Sequence, residues 1–412
     1  MSTAAHTPAP HDHRPVVEPI QYVILSIAVL ASLPGLYLGI AGEHIDPVVG
    51  SIIFGIAIFA GAFVLSWGAE AAEIDISESL AVAILALIAV LPEYAVDFVF
   101  TWKAAHDPTQ AHYAIANMTG ANRLLVGLGW PAVLFVYVLV KKKKELVLDS
   151  TQRVEVFYLA MATLYSFTIP LKGSLNLIDT IILVTLFVLY TRRAAQMPTT
   201  EPDIVGPVKI LANMSDFWRR TTTIVFFLYA GTVIFFVAEP FAESLVETGH
   251  SLGINEFLLV QWLAPIASEA PEFIIAITWT LRGQAGSAMK ALISSKVNQW
   301  TLLIGTIPLV FAISGGAIRP FVLDTLQDHE LFLTAAQSVF AVAVLVNMHM
   351  SRWDGFLLLF LFLLQLVISE IRLEVTVGYL VLAVVFHILN RKHLLPAAKM
   401  GLGWGLKKPS DG

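Results

Sequence analysis

The sequence contains no cysteine and few charged residues for its length. Without cysteine it cannot form a disulfide, an iron–sulfur cluster or a thiolate zinc site. Any metal must therefore be bound by oxygen or imidazole, which suits Na+, Mg2+ or Ca2+. Charged residues make up 14% of the 412 residues, whereas about 25% is usual in soluble domains. With 57% hydrophobic residues and a mean hydropathy of +0.75, the composition predicts an integral membrane protein.

Motifs of several enzyme classes are also missing. There is no His-Glu-x-x-His and no Walker motif, which leaves a zinc metalloprotease or an ATP-driven pump without support. Residues 1–18 are polar and contain His6, His11 and His13, but only Arg14 is basic and no small-residue cleavage site follows the first apolar run. We therefore expect no signal peptide, and we interpret the three histidines as part of a solvated cytoplasmic tail rather than a metal site.

The apolar runs predict an all-α membrane fold of about twelve transmembrane helices. They lie near 19–41, 48–72, 77–103, 111–140, 154–170, 174–191, 219–247, 254–281, 286–313, 329–350, 353–370 and 373–390. A proline-rich linker at 192–218 divides the chain near its middle. The predicted organisation is the tail 1–18, an additional helix 19–41, a first repeat 48–191, the linker 192–218, a second repeat 219–370, and an additional helix with a basic tail 371–412.

The distribution of positive charge predicts the topology. If the amino terminus lies inside, 19 of the 25 lysines and arginines fall in inside segments and 4 in outside segments. The remaining two, Arg123 and Lys296, lie within predicted helices. Because cytoplasmic loops carry the excess of basic residues, the pattern predicts that both termini are cytoplasmic.

The two halves contain similar segments. Pro92-Glu93 and Pro271-Glu272 are each followed ten residues after the glutamate by a basic residue, Lys103 and Arg282. Each is then followed by a helix with several polar residues and a short apolar stretch; these are 117–122 with 124–127, and 294–299 with 302–305. The glutamates lie in the third and the eighth predicted spans, an odd number of spans apart, so the second copy is inverted. Inverted repeats with a site at their mid-membrane interface are typical of secondary transporters.

Glu93 and Glu272 lie near the middle of their apolar runs. A charged side chain there costs ~2.5–3.5 kcal/mol on insertion scales, so it is retained mainly where it faces a cavity or a partner. The preceding proline frees a carbonyl one turn earlier in the helix, at Ile88 or Ala267. Carboxylates and freed carbonyls together form an oxygen cage suited to Ca2+ or Na+. The alternative, a glutamate that only bonds a neighbouring helix, accounts less well for a symmetric pair.

These segments resemble the paired alpha-repeats of the cation/calcium exchanger superfamily, over roughly 66–130 and 236–305. The resemblance implies that Glu93 and Glu272 are the central cation ligands, with polar groups of the following helices beside them. The candidate ligands are Glu93, Glu272, Asn117, Asn122, Ser268, Glu269, Ser295 and Asn298, and the candidate coupling or charge-compensating residues are Lys296, Arg123 and Asp97. The chain departs from the family pattern at Ala89, Val90 and Glu269, and the Gly-Ser-Asn element of the family is Gly120-Ala121-Asn122 in the first copy only.

Two basic residues are the largest departure. Arg123 cannot lose its proton and therefore requires an anionic partner. Lys296 lies about 15 Å into its predicted helix. One hypothesis is that its ammonium is a tethered cation, paired with Glu272 or Glu269 and displaced or deprotonated when the substrate ion binds. The other is a permanent structural ion pair.

The sequence thus predicts a secondary antiporter of the cell membrane that exchanges Ca2+ or a related cation for Na+ or H+. The alternatives are a Na+/H+ antiporter on the same scaffold and an intramembrane enzyme. The expected partners are the lipid bilayer and small inorganic cations, with no nucleic acid, no nucleotide and no cofactor.

Overall fold

The computed structural model describes residues 15–75, 91–197 and 204–404. His6, His11, His13, the first part of the predicted helix 77–103 with Ile88, Ala89 and Val90, and the linker residues 198–203 lie outside these ranges. The described helices are α1 (Pro19–Ala41), α2 (Pro47–Glu73), α3 (Leu91–Ala104), α4 (Ala111–Leu124), α5 (Trp130–Lys141), α6 (Arg153–Ser166), α7 (Thr168–Lys172), α8 (Leu177–Ala194), α9 (Val208–Ala212), α10 (Asp216–Leu252), α11 (Glu256–Leu281), α12 (Ala285–Asn298), α13 (Ile304–Gly315), α14 (Thr325–Leu345), α15 (Arg352–Val367), α16 (Arg372–Leu389) and α17 (Arg391–Leu402).

The helix boundaries follow from local chemistry. Asp46 caps α2 by accepting hydrogen bonds from the amides of Val48 (3.1 Å) and Val49 (3.2 Å), and Pro47 occupies the first helical position, where its missing N–H costs nothing. Asp324 and Gln327 form a reciprocal capping box at the start of α14. At the other end, Gly253 terminates α10 at φ 64°, a left-handed conformation that favours glycine.

Nine helical segments of the described chain are long and apolar enough to cross a membrane. One of them is continuous from Pro108 to Lys141 and another from Ala285 to Gly315. The all-α membrane class is therefore confirmed, and the twelve spans and the inverted repeats stay predictions. The sequence pattern did not predict the amphipathic helix α17 or the short helix α9.

Two small antiparallel sheets join the halves of the chain. Strand β1 (Glu145–Val147) pairs with β4 (His349–Ser351), in the register Leu146 opposite Met350. Strand β2 (Ser174–Leu175) pairs with β3 (Phe321–Val322), with Leu175 opposite Phe321. Each pairing links a segment of the first half to one of the second half, and so restrains the ends of the helices that surround the core.

Close helix packing places the central helices. A side chain added at Gly120 in α4 would overlap the carbonyl oxygen of Gln261 in α11, so the crossing of these two helices requires glycine there. Each polar helix then widens into a π-helical turn, Leu125–Gly129 after α4 and Gln299–Leu303 after α12. Such turns are frequent at functional sites.

Ion pairs anchor α10, which packs along α2. Asp75, just beyond α2, accepts hydrogen bonds from Arg219 at 2.7 and 2.8 Å and from Arg220 at 2.9 Å. The bonds from Arg219 lower the pKa of the Asp75 carboxyl. In the second half of α10, Glu239 and Glu243 both contact Lys103 of α3.

Candidate cation site

Four carboxyl groups lie close together where α3, α4, α11 and α12 meet. Glu93 has Glu269, Asp97 and Glu272 as electrostatic neighbours, so the structure brings together the glutamates of the two similar segments. Glu93 is eleven positions from the end of α3 and Glu272 nine positions from the end of α11, or roughly 16 and 14 Å at 1.5 Å per residue. Each glutamate is therefore separated from its helix end by close to half of a hydrocarbon core of about 30 Å.

The carboxyl groups are buried to different extents. Glu93, Asp97 and Glu269 are at most 2% exposed, whereas Glu272 is partly exposed. The Glu93 and Glu269 carboxyl groups lie next to each other. Two carboxylates this close repel each other unless a proton or a cation lies between them.

Amides and hydroxyls of the polar helices orient the carboxylates. Asn117 donates to Asp97 at 2.7 Å, Ser295 donates to Glu272 at 2.9 Å, and Gln299 donates to Glu269. Tyr94 donates to the Asn298 side chain at 2.9 Å, which connects α3 to α12. Gln299 and Tyr94 were not among the residues predicted from the sequence.

Several buried oxygens of this cluster remain available as ligands. Both carboxylate oxygens of Glu93, Oδ2 of Asp97, Oε2 of Glu269 and Oδ1 of Asn117 receive no N–H or hydroxyl hydrogen bond within the described parts of the chain. Buried polar atoms are normally satisfied, and a group of carboxylate and amide oxygens is the ligand set of a hard cation. The donor set therefore fits a cation such as Ca2+ or Na+.

Lys296 lies beside this cluster and is fully buried. Its Nζ donates to the Asn122 side chain at 2.8 Å and to the Asn122 carbonyl at 3.2 Å, and it lies 4.4 Å from the centroid of the Trp300 ring. Among the described residues no ion pair joins Nζ to a carboxylate, so the pairing with Glu272 or Glu269 is not formed in this conformation and stays a prediction. Glu269 accepts a hydrogen bond from Gln299, and Asn122 provides two acceptors to the ammonium.

One predicted ligand, Ser268, uses its hydroxyl proton within its own helix. The hydroxyl of Ser268 donates to carbonyls of its own helix, Ala264 at 3.2 Å and Pro265 at 3.3 Å. A serine that bonds the carbonyl three or four residues earlier satisfies its hydroxyl locally. In this conformation its hydroxyl proton is therefore directed at its own helix.

Comparison with known proteins identifies the family of this chain. The family model described as "Sodium/calcium exchanger protein" matches residues 47–194 and 222–370. The crystal structure of the H+/Ca2+ exchanger CAX is 40% identical in sequence and has a TM-score of 0.90, covering 94% of this chain and 98% of that one. This chain belongs to the sodium/calcium exchanger protein family. It is accordingly a membrane cation exchanger and not an enzyme, as the sequence predicted.

Two more distant structures share the fold. YfkE is 14% identical with a TM-score of 0.60, covering 88% of this chain and 99% of that one. The sodium-calcium exchanger NCX_Mj is 14% identical with a TM-score of 0.52, covering 77% of this chain and 97% of that one. A search of curated proteins finds no match.

A second buried network of this exchanger contains Arg123. Glu330 of α14 forms ion pairs with both Arg123 and Arg372, and Arg123 also donates to Gln365 at 2.8 Å. Gln261 donates to the Glu330 carboxylate at 2.8 Å. Glu330 therefore supplies the anionic partner that Arg123 was expected to need. Sequence reasoning missed Glu330 because it lies near the start of its helix, where a solvated carboxylate is common. The polar residues Gln261, Gln365 and Arg372 in otherwise apolar helices could have indicated a second buried polar network.

We predict that Glu330→Gln destabilises the protein by about 3–5 kcal/mol, because the buried guanidinium of Arg123 and the partly buried one of Arg372 lose their counter-charge. Thermal unfolding in detergent measures the effect. Glu370→Gln is the matched control, since Glu370 is exposed two residues before Arg372 and surface substitutions usually change stability by less than about 0.5 kcal/mol. Equal melting temperatures for the two variants would show that the network contributes no net stability.

Proposed function

We propose that this protein exchanges Ca2+ for protons through the cluster of Glu93, Asp97, Glu269 and Glu272. The observation that supports it best is the group of four carboxyls at mid-membrane depth, with buried oxygens that receive no hydrogen bond from the described residues. Such a cluster holds a divalent cation when ionised and requires protons when the cation leaves. Exchange of this kind is driven by ion gradients and requires no bound cofactor.

Two observations favour protons as the counter-ion. The adjacent Glu93 and Glu269 carboxyls form a position for a shared proton. The protein that is 40% identical over nearly the whole chain is described as an H+/Ca2+ exchanger, whereas the likeness to NCX_Mj concerns the fold alone. Na+ is the second candidate, because the same oxygen ligands accept it.

The residues around the cluster have separate proposed roles. Glu93 and Glu272 are the central ligands, one from each similar segment. Asp97 lies one helical turn from Glu93 toward the Lys103 end of α3, and we infer that its carboxylate, held by Asn117, receives the cation from that side. Asn298 and Ser295 contribute oxygens from α12, and Glu269 links the two halves.

Lys296 is proposed to act as a tethered cation. Its ammonium is bound by both oxygens of Asn122, which is itself a candidate cation ligand, so Lys296 and a transported ion compete for the same acceptor. Glu93 and Glu269 are its anionic electrostatic neighbours, and its charge therefore offsets part of theirs in the empty site. Substrate binding then displaces or deprotonates the ammonium.

We infer from the charge distribution that the protein lies in the cell membrane with both termini in the cytoplasm. The absence of native cysteine permits a direct test. Thr109→Cys should react with an impermeant maleimide on intact cells, whereas Lys209→Cys should react only after lysis. The reverse labelling pattern would contradict this orientation.

Reconstituted vesicles test the proposed exchange. With a Ca2+ dye inside and a lumen more acidic than the bath, the wild-type protein should take up Ca2+ as protons leave. A Na+ gradient of equal size at uniform pH should give much less uptake. Ca2+ uptake driven by a Na+ gradient alone would identify the protein as a Na+/Ca2+ exchanger. A Na+-dependent proton flux without Ca2+ would identify it as a Na+/H+ antiporter. No ion flux of any kind would reject exchange.

A further inference from the structure

An apolar groove on the protein surface shares no lining residue with the carboxylate cluster. It is a cavity of ≈ 580 Å³ between α6, α14, α16 and α17. Its walls include Phe157, Ala160, Leu164, Val384 and Ile388. Leu164, Val384 and Ile388 are 59–61% exposed, so the groove opens toward the lipid and not toward the protein core.

The length of the groove matches one leaflet of a bilayer. Along α6 its lining extends from Val156 to Phe167, eleven positions or roughly 16 Å. Half of a hydrocarbon core of about 30 Å is ~15 Å. A single acyl chain running parallel to the helices would therefore fill the groove from one membrane surface to the bilayer centre.

One end of the groove is strongly basic. Arg153 begins α6 next to the groove, and Lys392 and His393 begin α17. Within the described chain, neither Arg153 nor Lys392 has a carboxylate within 4.0 Å, and the buried Nε of Arg153 has no hydrogen-bond acceptor. Burial lowers the pKa of His393, and the positive charges of Lys392 and Arg153 lower it further. The end of the groove therefore attracts anions.

Helix α17 joins the basic end to the apolar groove. Its residues Leu394, Ala397 and Ala398 line the groove, while Lys392 is exposed. The carbonyl of Met400 accepts a hydrogen bond from Arg193 at 2.9 Å, and a side chain added at Gly401 would overlap the Phe157 ring. These contacts hold α17 across the end of α6, so the groove and the basic residues form one continuous surface.

We propose that this surface binds an anionic phospholipid, with one acyl chain in the groove and the phosphate between Arg153 and Lys392. Charge complementarity selects this occupant, because an unpaired cationic end adjoining a leaflet-deep apolar groove matches a phosphate attached to an acyl chain. A zwitterionic lipid would gain the same apolar contact but little net attraction at the basic end. Two basic residues at the membrane surface should give a preference of about 30-fold for the anionic lipid.

Native mass spectrometry of the full chain in detergent tests the proposal, with phosphatidylglycerol and phosphatidylcholine of identical acyl chains as probes. Phosphatidylglycerol should bind about 30-fold more tightly. Arg153→Gln combined with Lys392→Gln should reduce this preference to near unity, and Ala160→Trp, which fills the groove, should weaken binding of both lipids. Lys143→Gln combined with Lys144→Gln is the matched control, because these lysines are exposed elsewhere in the basic segment after α5.

Equal affinity for the two lipids, or an unchanged preference in the Arg153 and Lys392 variant, would overturn the proposal. Glycerol phosphate, which has no acyl chain, should not displace the lipid; displacement would reduce the site to a phosphate site. A stable dimer that excludes lipid from the groove would assign the surface to a second copy of the chain. Melting temperatures and vesicle flux identify variants that fail to fold.

Discussion

Glu93→Gln and Glu272→Gln should each reduce Ca2+ exchange in vesicles by at least about 100-fold, because Ca2+ affinity depends on the number of charged ligands. Glutamine has nearly the same shape as glutamate but carries no charge and cannot carry the exchanged proton. Each substitution therefore removes both a cation ligand and a protonation site. The fold should be little affected, since a neutral group is less costly than a carboxylate at this depth.

The control for these variants is Glu256→Gln. Glu256 lies on the same helix as Glu272, but near its start, and it pairs with His250 at 2.7 Å. We expect wild-type flux from this variant. Normal flux from Glu93→Gln or from Glu272→Gln, with equal amounts of folded protein in the vesicles, would remove both glutamates from the central role proposed here.

The second large effect is expected from Lys296→Met, which removes the charge and retains most of the side chain. The empty site would then lack a positive charge, so a further carboxyl would have to bind a proton. If the wild-type ammonium is displaced with its proton, Ca2+ entry should consequently release an additional proton per ion and the pH dependence of Ca2+ binding should become steeper. If the wild-type ammonium is deprotonated, the carboxyl proton replaces the lysine proton, so the count stays the same and only the pH range of release changes. Ca2+ binding itself should be retained and should strengthen by roughly tenfold, since a competing cation at close range has been removed.

Lys296→Arg is the informative companion variant, because arginine keeps the charge and cannot be deprotonated. If the ammonium must leave as a neutral amine, this variant should exchange poorly; if displacement suffices, it should remain active. Lys296→Met with an unaltered proton count, pH profile and Ca2+ affinity would assign Lys296 to a purely structural role.

The pairing of the two Pro-Glu segments could be predicted from sequence because both glutamates have matching neighbours and lie in otherwise apolar runs. An unfavourable residue that occurs twice in similar surroundings indicates a requirement beyond packing. The same reasoning identified Asn117, Ser295 and Asn298, which the structure places in hydrogen bonds around the carboxylates or at their edge.

The partners of individual side chains could not be predicted. Lys296 bonds Asn122, 174 positions away, and Arg123 pairs with Glu330, 207 positions away. Such contacts depend on how each helix is rotated about its axis and on where two helices cross, as they do at Gly120. The pattern of apolar residues determines neither. Ser268 shows the same limit. Its position in the family-like motif predicted a cation ligand, but its hydroxyl donates to a carbonyl of its own helix.

The amphipathic helix α17 was missed for a related reason. It has 12 residues and carries Arg391, Lys392 and Lys399, so the sequence suggested only a basic tail. Helices that lie at a membrane surface are recognised by a one-sided apolar face and not by a long apolar run. In this chain that face includes Leu394, Ala397 and Ala398, which line the apolar groove.

The proton count on Ca2+ binding tests the central claim most directly, namely that Ca2+ and protons occupy the same carboxylate cluster. Purified protein in weakly buffered detergent solution is titrated with Ca2+ while pH is recorded. We predict that the wild-type protein binds Ca2+ and releases protons in a fixed ratio, and that Glu272→Gln does neither, whereas Glu256→Gln behaves as wild type. Ca2+ binding without proton release in the wild-type protein, or undiminished release in Glu272→Gln, would contradict the account.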